Sequence, residues 1–448
     1  MAAGNARSID KQLEETLAAC LHLHQPKKVV LALSGGLDSM VLLELLHRLS
    51  ARAPWQLSAV HVHHGLQPQA DDWLQFCQQS CAKRSVLFAS HRLTLDGRHN
   101  LEARARDARY QLLAQHCAEP GSVLLTAHHA DDQLETLLLA LKRGSGLTGL
   151  AGMASSRPFA AGLLVRPLLA HSRLELEQFA DFHQLHWVED PSNQDLRFDR
   201  NFLRQQVLPL LAGRWPGFAH SAARSMAHCA AADNQLEQIW QQQLQPYLSE
   251  NKRVLQLAAL QGKNRTEQNA MLRSWLKLHQ LNPELAWLTT LHQQVIAAKA
   301  DAIPELQLQR YQLRRFQGAL YLCEPLAAKP HTGLVWQGQA QLELPAGLGW
   351  LHFLHSETAP GENWLPLADT TKLELCFGQL SLLFKPAGAQ HHKPLKQWCK
   401  LWQIPPWQRP YLPLLLCHGE VQLVAGYASC VSPAKATLWC LLQAEPFR

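Results

Sequence analysis

The stretch "VVLALSGGLDSM" (Val29–Met40) decides how this chain is read. Val29–Leu33 is a continuous apolar run, as in a strand buried on both faces. Gly35 and Gly36 then break the run, and helical apolar spacing starts at Met40. A glycine pair between a strand and a helix lets backbone N–H groups converge on an anion. The helix N-terminus adds its partial positive charge. Ser34 and Ser39 supply hydroxyls, and Asp38 stands at the helix mouth, where a carboxylate can hold Mg2+. The turn contains no lysine, so it is not a Walker loop, and it lacks the G-x-G-x-x-G of dinucleotide loops.

Outward from this turn, strand and helix patterns alternate. Strand-like runs recur at Leu57–Gly65, in "RSVLFASHRL", in "SVLLTAHH" and in "GLLVRPLL". Helical spacing covers Met40–Leu49, Asp71–Lys83, Leu101–His116 and Asp131–Lys142. Ser172 and Glu175 form a capping box that opens a helix over Arg173–His183. This alternation predicts an α/β, Rossmann-like parallel sheet, whose ligands bind at the carboxyl ends of the strands. From Phe218 the texture turns alanine-rich and helical to about Ala300. "LQRYQLRRFQGALYLCE" then alternates like a hairpin, and residues 372–448 read as short strands with one or two helices. The expected division is a catalytic domain over 1–217 and a mainly helical domain over 218–325. A linker or β segment over 326–371 and a small mixed α/β domain over 372–448 follow.

Composition bounds the rest. The chain has 448 residues, too many for a single core, and is 47% hydrophobic and 17% charged, an ordinary globular balance. No apolar signal core opens it and no membrane-length apolar run occurs, which predicts a cytoplasmic protein. Eleven scattered cysteines, the closest pair being Cys77 and Cys81, read as reduced buried thiols. Residues 372–448 carry eight basic and three acidic side chains, five of the net six positive charges, which favours a polyanionic partner. In "HVHH", His61 and His63 share a strand face while His64 points away, so rim or core histidines are expected rather than a metal box.

A second constellation lies in "TAHHADDQLET" (Thr126–Thr136). His129, Asp132 and Glu135 fall at helical spacing just after a strand, beside the expected place of the glycine turn. Acidic residues in a first helical turn are ordinary dipole matching. A clustered anionic pocket on the same rim as an anion loop must instead be neutralised by a metal or a cationic substrate. Two arginine sets complete the candidates, Arg106 and Arg109 in "EARARDARY", and Arg200 and Arg204 in "EDPSNQDLRFDRNFLR". They either salt-bridge exposed helices or stabilise charge at a reacting phosphorus.

"SGGLDS" resembles the PP-loop of the ATP pyrophosphatases, which cleave ATP between its α- and β-phosphates. The order of "SGGLDS", "HVHHGL", "EARARDARY", "TAHHADDQLET", "KRGSGLTGLAGM", "RPLL" and "EDPSNQDLRFDRNFLR" resembles the bacterial tRNA(Ile)-lysidine synthases. "HKPLKQWCKLWQIPPWQRPYLPLL" is similar to that family's C-terminal domain. The resemblance implies an ATP-dependent ligase that adenylates the wobble cytidine of tRNA(Ile) with a CAU anticodon and joins L-lysine to its C2. It implies ATP binding at Ser34, Gly35, Gly36, Leu37, Asp38, Ser39 and Val62, with Mg2+ at Asp38. Lysine is expected at His129, Asp132 and Glu135. Catalysis is expected from Asp38, Asp132, Glu135, Arg106, Arg109, Arg200 and Arg204. A homodimer is part of the same expectation. The rival readings are a PP-loop tRNA thiolase, which needs cysteines to handle sulfur, and a non-catalytic, nucleotide-sensing tRNA-binding protein, which needs no acidic rim.

Overall fold

Val29, Val30 and Leu31 have no exposed surface, because their strand lies in the interior of a sheet covered on both faces. The computed structural model describes residues 2–63, 69–93, 101–299, 302–325, 328–330, 333–368 and 372–443, so His64 lies outside the described residues. The chain divides into two compact units, 1–236 and 237–448. In the first, six strands are β1 (Lys28–Ala32), β2 (Gln56–His63), β3 (Leu87–Arg92), β4 (Ser122–Leu125), β5 (Ser156–Phe159) and β6 (Gly162–Val165). They lie in the order β3-β2-β1-β4-β6-β5. Every neighbouring pair is parallel except β5 with β6, so the parallel expectation is corrected at one edge by a hairpin.

The helices up to the last strand's crossover are α1 (Ala2–His24), α2 (Leu37–Ser50), α3 (Ala70–Ala82), α4 (Leu101–Gln115), α5 (Ala130–Lys142), the single turn α6 (Leu147–Leu150) and, after β6, α7 (Arg173–Phe182). Strand alternation sends Val29 and Leu31 to one face and Val30 to the other. On the first face they pack with α1, α2, α3 and α7 through residues such as Leu13, Leu42, Cys77 and Phe179. On the second, Val30, Val60, Val62 and Leu124 pack with Leu113 of α4. Each fully buried aliphatic side chain contributes about 1.5–3 kcal/mol. Helix α1 was not anticipated from the sequence, although Ile9, Leu13, Leu17 and Leu21 recur every four residues and are all buried. The capping box at α7 is present, with Ser172 Oγ accepting from Glu175 N and Ser172 N donating to Glu175 Oε2.

The order of strands places the ligand crevice. From β1 the chain proceeds to one side through β2 and β3, and then crosses back to β4 on the other side. The carboxyl ends of β1 and β4 therefore flank a topological switch point, where open α/β sheets bind ligands. The glycine turn follows β1, and "TAHHADD" follows β4. Beyond α7 come α8 (Asp199–Phe202), a π-helical turn over Leu203–Val207, α9 (Leu208–Arg214) and the long α10 (Phe218–Leu244).

In the second unit, helices over Arg265–Lys277 and Leu285–Thr290 pack with a four-stranded antiparallel sheet over Val254–Gln256, Glu305–Leu308, Tyr311–Phe316 and Ala319–Cys323. The expected hairpin is there, and the mainly helical middle region carries a sheet as well. Strands Leu334–Trp336, Gln341–Leu344, Gly349–His355 and Leu365–Leu367 fill the stretch whose role was open. The first pairs with Leu373–Phe377, and the last two pair with Leu438–Gln443. Among the described residues, no helix is long and apolar enough to cross a membrane.

Candidate functional site

The glycine turn is shaped by backbone geometry and two hydroxyls. Gly35 adopts φ +88°, a region that L side chains rarely enter. A Cβ there would stand 2.9 Å from Cys77 Sγ and 3.0 Å from a methyl of Val188. Gly35 N donates to Ser39 Oγ (3.1 Å), Ser39 Oγ donates to Gly36 O (2.9 Å), and Ser34 Oγ donates to Ser39 Oγ (3.1 Å). Val188 N donates to Gly35 O (3.0 Å), tying the turn to the segment before "EDPSN". Gly36 caps α2 without a side chain, which leaves the helix N-terminus open to an anion. The Leu37 side chain is buried in the core, so its contribution at this turn comes from its backbone. Gly35→Ala is expected to lower the melting temperature, with a cost of about 1–3 kcal/mol from the forced φ and the close contacts, and to raise the KM for ATP. Gly36→Ala, at φ −72° and with its nearest new contact at 3.6 Å, is the matched control. Equal effects of the two substitutions would contradict this account of the turn.

Asp38 joins the turn to the helix after β4. Its Oδ1 accepts from Arg173 Nη1 (2.7 Å), and its Oδ2 lies 3.7 Å from His129 Nε2. Burial pushes the Asp38 carboxyl up, against the opposing pull of His129 and Arg173. His129 is buried and caps α5, with its backbone N donating to Asp132 Oδ2 (3.1 Å). Burial works to lower its pKa, but Asp131, Asp132 and Asp38 outweigh burial and raise it. Behind His129, Glu135 has no exposed surface. Arg204, on the π-helical turn, donates from Nε to Glu135 Oε1 (2.7 Å) and from Nη2 to Asp132 Oδ1 (3.1 Å). Burial pushes Glu135 up, and Arg204 opposes it. Glu135 Oε2 is buried without a hydrogen-bond partner.

An open cavity of about 1270 Å³ gathers these groups. Ser34, Gly36, Leu37, Asp38, Val62, Arg109, His129, Asp131, Arg173 and Arg204 line it. Asp132 and Glu135 stand just behind His129 and Arg204. Arg106 and Arg109 stand over the Tyr110 ring, with their guanidinium carbons 5.6 and 5.5 Å from its centroid, and Arg109 also lines the cavity. Arg200 lies close enough to bias both Arg109 and Glu135.

Arg173 and His128 escaped the sequence reading, and Asp131, visible in the acidic constellation, was given no role of its own. Arg173 grips Asp38, and its only signal was its place directly after a capping serine on the rim. Asp131 accepts from Arg173 N (2.7 Å) and so joins α5 to α7. His128 lies between the acidic centre and the arginines. Burial, reinforced by Arg166, Arg109 and Arg106, lowers it to about 4 although Asp132 pulls the other way, so it is neutral at pH 7. His61 and His63 are buried, and His61 Nδ1 lies 2.9 Å from Leu33 O. Burial pushes the Cys77 and Cys81 thiols up to about 12 and about 11, which suits inert core residues rather than sulfur carriers.

The site has relatives of the same length. The PP-loop domain family matches residues 6–211, the TilS substrate binding domain 255–321 and the TilS substrate C-terminal domain 373–439. The chain is 41% identical over 445 residues to the tRNA(Ile)-lysidine synthase of Serratia proteamaculans, covering 97% of each. It is 39% identical over 414 residues to that of Coxiella burnetii, covering 91% of each. Among solved structures, the U34-tRNA thiolase NcsA of Methanococcus maripaludis with its [4Fe-4S] cluster matches at TM-score 0.44 and 19% identity. That match covers 50% of this chain and 79% of that one.

Proposed function

The chain belongs to the tRNA(Ile)-lysidine synthase family, and from that premise we propose that it joins the ε-amine of L-lysine to C2 of the wobble cytidine in a CAU anticodon. ATP is the co-substrate, and AMP and diphosphate are released. The observation that carries this reading is the meeting, in one cavity at the switch point of the sheet, of the lysine-free glycine turn and the acidic helix.

Chemically, the cytosine O2 attacks the α-phosphorus and diphosphate leaves. Ser34, Gly35, Gly36, Ser39 and the backbone of Leu37 hold the departing group, and Val62 on β2 faces the adenine. Asp38 fits Mg2+, a hard cation that takes one or two carboxylates and completes its shell with substrate phosphates and water. No larger metal-holding group of His, Cys, Asp or Glu stands among the described residues. When bound, the ion neutralises the diphosphate. The ε-amine then attacks C2 and AMP departs with the former O2.

An ammonium is not a nucleophile, so the second step needs a group that attracts the cation and takes its proton. Asp132 and Glu135, with His129 beside them, are proposed for this. The partnerless Oε2 of Glu135 offers an acceptor, and burial makes that carboxyl more basic. Arg204 holds both carboxylates in place. Arg106, Arg109 and Arg200 steady phosphates or the flipped base, which must leave its stack to react. Residues 1–217 are assigned the chemistry, 218–325 substrate binding and 372–448 contact with tRNA, through a surface whose affinity falls as salt rises. We assign the work to the cytoplasm and to a homodimer.

The test is to incubate the protein with tRNA, ATP and labelled lysine, and then digest the RNA to nucleosides. The label is expected in a single modified cytidine. Sulfur incorporation, or an unaltered cytidine, would contradict the reading.

A further inference from the structure

We propose that Arg157 and Arg166, together with Arg106, Arg109 and Tyr110, form a pocket for an RNA phosphodiester next to the modified nucleotide. The inference rests on the tRNA reading above and deepens it.

Three guanidiniums crowd one ring. Arg106, Arg109 and Arg157 stand 5.6, 5.5 and 5.8 Å from the Tyr110 centroid. Arg166, buried at the carboxyl end of β6, donates from Nη1 to Ala154 O (2.7 Å). Its Nε and that of Arg109 are buried without hydrogen-bond partners. Among the residues whose side chains are described, no ion pair joins Arg109 or Arg166 to a carboxylate. Burial lowers the pKa of both Arg109 and Arg166; Tyr110 opposes this, and neighbouring arginines lower it further. Even so, arginine stays charged.

Magnitudes show that the ring alone is not enough. A cation–π contact contributes about 0.5–2 kcal/mol, whereas taking a guanidinium out of water costs several kcal/mol when no opposite charge answers it. Arg106 and Arg157 stay hydrated at the mouth, but the buried, unpartnered Nε–H groups of Arg109 and Arg166 are answered only when an anion enters beside them. The guanidinium fork suits a phosphate oxygen pair.

Position decides which phosphate. The glycine turn follows β1, and the proposed adenine contact, Val62, is on β2, so ATP extends toward β2. Arg157 and Arg166 lie on the other side, on β5 and at the end of β6. Three strand spacings of about 4.8 Å separate β5 from β1, roughly 14 Å. Arg106 and Arg157 are exposed while Arg166 is buried, which makes a mouth and a floor. A polymer strand passing that mouth can deliver a phosphodiester beside a base turned toward Asp132 and Glu135. His128, with Nδ1 at 2.9 Å from Thr126 Oγ1, is within electrostatic reach of both Asp132 and the arginines.

The test uses the full chain and an anticodon-arm RNA hairpin, without ATP or lysine. Each loop phosphate is replaced singly by an uncharged methylphosphonate. One replacement beside the target cytidine is expected to weaken wild-type binding about tenfold, as loss of a charged hydrogen-bonded contact does. Arg157→Gln should weaken binding of the unmodified hairpin by a similar factor and show no further loss with that methylphosphonate. Its plot of log Kd against log salt should lose about one unit of slope. Arg166→Lys, which keeps the charge and loses the fork, should fall between. Independent losses at every phosphate, an elevated ATP KM with unchanged RNA affinity, or a shifted melting temperature alone would each overturn the pocket. Because the assay measures binding only, a wild-type protein that binds RNA but makes no lysidine would instead refute the function proposed above.

Discussion

Asp132→Asn is expected to reduce lysine incorporation into tRNA by about 10²–10³-fold or more, the scale seen when one preorganised electrostatic partner is removed from a reacting centre, while the fold survives. Alanine is the poorer test here. Asp132 Oδ2 accepts the His129 backbone N–H, so alanine removes a helix cap, about 1 kcal/mol, as well as a charge. Asparagine keeps an oxygen for that bond. It withdraws the negative charge that faces Arg204 and, in the proposal, the lysine cation. The melting temperature should therefore shift little and the KM for ATP should not change, while lysine binding and rate collapse. Wild-type lysine incorporation in this variant would remove Asp132 from the mechanism and leave Glu135 to act alone.

The second large effect is at the other wall of the cavity. Asp38→Ala removes the carboxylate at the N-terminus of α2, the group proposed to hold the ion that accompanies diphosphate. The fold should tolerate it, because Arg173 retains Glu177 (Nε to Oε1, 3.0 Å) and its backbone bond to Asp131. Diphosphate release in the presence of tRNA is expected to fall by about 10²–10³-fold. The split between the two variants is informative. Asp38→Ala should block adenylation, whereas Asp132→Asn should still release diphosphate and stop before lysine is joined. Diphosphate release at the wild-type rate in Asp38→Ala would contradict the role given to the turn.

Local patterns carried most of the architecture. The apolar run Val29–Leu33, the glycine pair and the spacing from Met40 describe a strand, a turn and a helix within a few residues of one another. The turn, "TAHHADD" and the two arginine sets were all visible as stretches. Their grouping was not. Arg204 could be expected on phosphates, yet it clasps Asp132 and Glu135, because a π-helical turn 69 residues further on carries it there. Arg173 on Asp38 spans 135 residues and leaves no local trace. The edge strand β5 was hidden for a different reason. It is four residues long and half exposed, and contains a proline, which is tolerated only at an edge. The strands between 334 and 367 were weak because Leu334–Trp336, Gln341–Leu344 and Leu365–Leu367 are only three or four residues long, and their sheets are completed by Leu373–Phe377 and Leu438–Gln443, farther along the chain.

The central claim is that the turn clasps diphosphate while the cytosine oxygen takes AMP. It is tested most directly with tRNA carrying ¹⁸O at C2 of the wobble cytidine. After turnover with ATP and lysine, mass spectrometry of the released AMP is predicted to show one ¹⁸O on its phosphate and none in the diphosphate. Unlabelled AMP, with the ¹⁸O still in the RNA, would contradict the account.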